Sequence, residues 1–87
     1  MASWELIEKA IDNLVVNFRY TEWTIGVTDD PERRKGEHER DGEDTTRWRH
    51  WDADTKIHAQ AVEAVFVGRG MKGEVGGGGG ADFVYVF

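Results

Sequence analysis

Eighty-seven residues with a formal net charge of −6 and no cysteine fit one domain, exclude disulfides and thiolate metal sites, and argue against a broadly basic nucleic-acid coat. Four Trp, four Phe and two Tyr must supply an economical core, since a chain this size buries only about 60–65% of its unfolded surface. The chain opens on no charged-then-apolar leader and has no apolar run of about 18 residues, so a soluble cytoplasmic protein off the membrane is expected.

In chain order, "SWELIEKAIDNLVVNF" reads as a first helix. Ser3 is its N-cap, Glu5 suits the dipole, and Trp4, Ile7, Ile11, Leu14, Val15 and Phe18 form one apolar stripe. "FRYTEWTIGVT" is β-branched and aromatic, as a strand is, with Tyr20, Thr24 and Gly26 on one face. "DDPER" starts a second helix abruptly: Asp30 caps, Pro31 takes the first helical position, and Glu32 complements the dipole. That helix runs to about Arg40 and has no apolar side chain beyond Pro31. A second strand is expected from Thr45 to Asp52. A third helix follows, capped by Asp54 or Thr55, with Ile57, Ala61, Val62, Val65 and Phe66 buried and Glu63 at the stripe's edge. Residues 72–81 read as a flexible Gly-rich loop, and "ADFVYVF" as an apolar strand that must pair. The order α-β-α-β-α-β predicts an α+β domain over 1–87: a small, mainly antiparallel three-stranded sheet flanked by three helices.

The oil-free second helix is the anomaly. Arg34 and His38 lie four residues apart and share a face. Turned inward, that face offers a guanidinium and an imidazole to the sheet, and Arg binds phosphate by bidentate hydrogen bonds without losing its charge. Turned outward, the helix is a solvated flap with a weak Arg33–Glu37 pair and the Arg34 stem lying on a Trp. The basic residues of the middle segment are interleaved with acids, which reads as a mixed solvated surface and leaves room for a local phosphate site rather than a broad basic face. His50 and His58 read as a strand residue and a helix-surface residue. The tryptophans read as core, with base stacking by Trp48 and Trp51 as the alternative.

"TIGVTDDPERRKGEH" resembles the second half of the GIY-YIG endonuclease signature: a strand ending in Tyr-Ile-Gly, a Thr, a short acidic turn, then a helix with Arg and His. Ile25 and Gly26 stand for the last two motif residues, Thr28 for its Thr, Arg34 for the catalytic Arg and His38 for the His. "RWRHWDADTKIHAQAVE" is similar to the family's third strand and following helix, which puts Glu63 at the metal-binding Glu. Thr24 stands where the motif has Tyr, and a helix replaces the Gly-Ile-Tyr strand. A terminal "FVYVF" in that strand's place would make the chain circularly permuted and deliver Tyr85, with Tyr20 as the alternative tyrosine. The resemblance implies hydrolysis of a DNA phosphodiester assisted by Mg²⁺ or Mn²⁺ on Glu63, with Arg34 on the phosphate, a Tyr on the attacking water and His38 in support. The alternatives are a non-catalytic module binding nucleic acid or protein with the same fold, and a purely structural domain. The oligomeric state is not legible.

Overall fold

The computed structural model describes residues 3–15, 17, 19–73 and 82–87. Helix α1, Trp4–Leu14, starts where Ser3 Oγ accepts from Leu6 N at 3.3 Å and buries Ile7 and Ile11. It ends at Leu14 rather than Phe18, whose predicted place in the stripe lies outside the described residues. The chain next makes a single 3₁₀ turn, Tyr20–Glu22, before strand β1, Thr24–Thr28. The predicted strand thus begins at Thr24, and Tyr20 is not part of it. All five residues of β1 are buried.

Helix α2 spans Pro31–Arg40, strand β2 Arg49–Asp52 and helix α3 Lys56–Gly68, the last capped by Thr55 Oγ1 accepting from His58 N at 3.1 Å. Strands β3, Lys72–Gly73, and β4, Phe83–Val86, complete one sheet of order β2-β4-β1-β3. Strand β4 pairs antiparallel with β1 and with β2, while β3 pairs parallel with β1 at Thr24↔Lys72 and Ile25↔Gly73.

This corrects the expected three-stranded, mainly antiparallel sheet: it has four strands and is mixed. The α+β class and the three helices stand. The extra strand comes from the front of the stretch read as a loop. Gly70, at φ +119°, turns the chain after α3 in a conformation that suits glycine. Met71 is then buried, and Lys72 N donates to Trp23 O at 3.0 Å, so the chain returns along the edge of β1 that β4 does not take. An open strand edge is a row of unsatisfied donors and acceptors, and two residues suffice to cover its start. The rest of the predicted Gly-rich loop, 74–81, lies outside the described residues.

Alternation along the strands sorts the side chains into two layers. Ile25, Val27, Val84 and Val86 face α1 and α3, where they join Ile7, Ile11, Ala59, Val62 and Phe66 in the main core. Tyr85 and Phe87 point the other way and pack with Trp48. Helix α2 covers that second face. The result is a small, compact single domain with an oily layer on one side of its sheet and an aromatic, polar layer on the other.

Candidate functional site

Few oily contacts hold α2, so its position depends on polar geometry. Asp30 Oδ1 accepts from Arg33 N at 3.1 Å, closing the first turn, and Pro31 is buried. Thr28, itself buried, accepts from Asp30 N at 3.1 Å through Oγ1. The end of β1 is thereby tied to the cap of α2, which sets the angle at which the helix crosses the sheet. Two turns in, His38 is only 2% exposed. Arg34 lies between, partly buried.

The residue both turn toward is Tyr85. Register places Tyr85 directly opposite Gly26, and its ring lies over the glycine. A Cβ on Gly26 would meet the hydroxyl and stand 2.5 Å from Cζ, far inside contact distance. The missing side chain makes room for the tyrosine. Tyr85 Oη sits 3.1 Å from His38 Nε2 and accepts from Arg34 Nε at 3.4 Å. When neutral His38 carries its proton on Nδ1, the three groups are complementary: Oη accepts from the guanidinium and donates to the imidazole.

Arg34 is held above the ordinary guanidinium value, chiefly by its hydrogen bond to Tyr85. Burial works against this, and Glu37 adds to it. Glu37 Oε1 accepts from Arg34 Nη1 at 3.1 Å, with 28% of the arginine side chain and 36% of the glutamate's exposed. The guanidinium therefore links an interior network to the surface, and a phosphate arriving there meets Glu37 as a competitor.

The aromatic layer closes over the hydroxyl. Trp48 stacks on Tyr85 at 4.6 Å between ring centres and 9° between planes, and His38 packs against Phe87 at 4.6 Å. Tyr85 has no exposed surface. Trp48, Glu37 and His50, which accepts from Trp48 Nε1 at 3.0 Å, are neighbours that the sequence reading did not place at the site. The alternation of Trp48 and His50 just before and within a strand was the signal that could have joined them, since residues two apart share a face. Trp51 instead lies half-buried against the main core.

Of the residues the sequence singled out, Arg34, His38 and Tyr85 come together, Gly26 lies beneath them and Thr28 holds the turn. Ile25 belongs to the oily core behind. Tyr20 lies elsewhere: its hydroxyl donates to Asp12 Oδ1 at 2.9 Å and its ring packs near Phe66. Glu63 is carried by α3, whose Ala59, Val62 and Phe66 pack into the layer opposite Tyr85. Burial pushes its carboxyl pKa up, and its Oε2 is buried without a hydrogen-bond partner.

Such an orphaned oxygen can take a cation, but one carboxylate is a thin donor set, and it sits on the far side of the sheet from Arg34. Among the described residues no three His, Cys, Asp or Glu side chains come close enough to hold an ion. The donors present do not fit a divalent ion shared with the Arg34 cluster.

A cleft of about 350 Å³ at Trp23, Arg19 and Arg47 contains none of these residues. There Arg47 lies 4.0 Å over the Trp23 ring and donates to Glu22 O at 2.8 Å. No helix among the described residues is long and apolar enough to cross a membrane. A scan against protein families, a search of curated proteins and a search of solved structures return no match.

Proposed function

We propose that the chain is a divergent, circularly permuted GIY-YIG-like nuclease domain that acts on a DNA phosphodiester at Arg34, Tyr85 and His38. One observation carries this reading: the terminal strand lays Tyr85 on Gly26 with its hydroxyl 3.1 Å from His38 Nε2 and 3.4 Å from Arg34 Nε. Tyr85, 47 residues beyond His38, joins Arg34 and His38 of one helix in a single hydrogen-bonded group, and all three are named from the resemblance.

In this reading the outer edge of Arg34 binds the phosphoryl oxygens and stabilises the charge that builds up in the transition state. Tyr85 passes its hydroxyl proton to His38 Nε2, leaving a phenolate beside the guanidinium and an imidazolium beside Phe87. The phenolate takes a proton from the attacking water, whose oxygen forms the new bond to phosphorus as the leaving oxygen departs. Because Tyr85 is closed to solvent, the aromatic cover must move before water reaches it. The Mg²⁺ or Mn²⁺ implied by the resemblance would supply charge stabilisation on the leaving oxygen, with Glu63 as its named carboxylate.

A second reading is the non-catalytic nucleic-acid-binding module. The burial of Tyr85 and the placement of Glu63 behind the sheet favour it. The two separate cleanly in a cleavage assay on branched and single-stranded DNA with Mg²⁺ or Mn²⁺, run beside a binding assay. Cleavage that Arg34→Ala reduces about 10²–10³-fold supports the nuclease. Binding that depends on Arg34 without cleavage supports the module. DNA engagement that ignores Arg34, or none at all, defeats both.

A further inference from the structure

We propose that Trp48 is a removable cover over the Tyr85 hydroxyl, latched by His50, and that protonation of His50 releases it. This regulation rests on the reading of Arg34, Tyr85 and His38 as the phosphate site.

Trp48 stacks nearly parallel on the Tyr85 ring, with its ring centre 5.6 Å from that of Phe87. Yet Trp48 belongs to no helix or strand. It stands at the end of the irregular stretch 41–48, tied by its amide to Thr45 O at 3.1 Å. Arg49 Nη1 donates to its carbonyl at 3.2 Å. The indole itself is held by Nε1–H donating to His50 Nδ1 at 3.0 Å.

That bond fixes the chemistry of His50. An indole N–H can only donate, so Nδ1 must offer its lone pair and the bonded imidazole is neutral. A protonated imidazole carries N–H groups on both nitrogens and sets one against the indole N–H. Histidine is the side chain whose charge ordinarily changes between about pH 5 and 8. The bond is present on the alkaline side of that change and lost on the acid side.

His50 is placed to respond. It lies exposed on edge strand β2, in register with Tyr85 and so on the same face of the sheet. Around it stand Trp48, the Phe83 ring edge-on at 6.3 Å, Tyr85 across the ladder and Arg49 beside it. From α2, His38, Arg34 and Glu37 border the covered site, and Glu39 is occupied by Thr45 Oγ1 at 2.8 Å. Among the described residues no carboxylate pairs with His50, so nothing there holds its charge in place of the indole. His38 is the second imidazole against Tyr85, and the test must separate the two.

The test follows the Trp48 indole N–H by NMR from pH 5 to 8, recording its shift and its exchange with water, in the wild type, His50→Asn and His50→Ala. The amide oxygen of His50→Asn accepts the indole proton but does not ionise. The wild-type indole signal should move with His50's own ring titration and, against the intrinsic exchange rate at each pH, lose protection on the acid side. His50→Asn should be flat and protected throughout, and His50→Ala exposed at every pH. An indole that titrates equally in His50→Asn, or stays still while the His50 ring titrates, overturns the proposal. The two readings fail separately: a titrating indole in a protein that ignores DNA sinks the phosphate site alone, and a silent indole beside Arg34-dependent binding sinks the cover alone.

Discussion

Replacing Gly26 with alanine should strike the site and the fold at once. The new Cβ would stand 2.5 Å from Tyr85 Cζ, and since ordinary contact begins near 3.4 Å, the ring must retreat by about 0.9 Å. It has little room to do so. Strand β4 is paired on both sides, Trp48 lies flat on the ring and His38 adjoins it. Forcing a methyl into a packed interior typically costs about 1–3 kcal/mol. Moving the hydroxyl by that much also spoils the geometry of its 3.1 Å contact to His38, and a badly paired buried polar group costs about 1–3 kcal/mol more. The two together come to roughly 2–6 kcal/mol. For a domain of this length each kcal/mol lowers Tm by about 4–8 °C, so a fall of at least about 8 °C is expected by calorimetry or circular dichroism. Tyr85→Leu removes the atoms that clash, so the double variant should be less destabilised than the sum of the singles, by about 0.5–3 kcal/mol. A Gly26→Ala protein within about 2 °C of wild type, or strict additivity in the double variant, would refute the seating of Tyr85 on Gly26.

Tyr85→Phe keeps the ring and strips the shared hydroxyl, so urea unfolding should show a loss of about 1–3 kcal/mol with an unchanged m-value. Unchanged stability would mean that His38 does not depend on that oxygen. Glu37→Gln keeps an oxygen that can accept from the partly buried Arg34 and should cost about 1 kcal/mol or less, yet it removes the charge that competes for Arg34 and should tighten DNA binding in a titration; weaker binding contradicts that role. For Glu63, burial raises the folded-state pKa, so the folded protein binds this proton more tightly than the unfolded chain. Its contribution to stability therefore falls as pH rises from the ordinary carboxylate range through the raised folded value. Glu63→Gln should raise Tm at pH 7, with the gain fading as the pH drops into that ordinary range. A drop at pH 7 instead would reveal a partner for the carboxylate, and added Mg²⁺ would be the first to try.

The helix starts were the most legible part of the sequence, because capping is local chemistry. Ser3, Asp30 and Thr55 accept amide protons as their side chains suggest. Strand β3 was illegible for the opposite reason: two residues are too few for an alternating pattern, and its pairing depends on an edge set by β1 and β4. The run "FRYTEW" misled by composition, since β-branched and aromatic residues also suit a 3₁₀ turn whose tyrosine can reach Asp12. The helical spacing left Glu63 at the margin of a buried stripe, but that stripe is Ala59, Val62 and Phe66, with Ile57 and Ala61 exposed, and spacing says nothing of which face of a sheet a helix covers. His50 read as an ordinary strand residue, because its bond to Trp48 exists only once β2 is laid beside Tyr85. The convergence on Tyr85 was suggested by resemblance; periodicity alone asked only that the last strand pair with something.

The central claim is that Arg34, Tyr85 and His38 act as one group that meets a phosphate, and the Nε–H resonance of Arg34 reports on it directly. In the free protein that proton should be protected from exchange with water and should shift and lose protection in Tyr85→Phe. On titration with single-stranded or branched DNA it should shift again, saturating together with binding. An Arg34 Nε–H that ignores both the loss of the hydroxyl and saturating DNA would contradict the account at its centre.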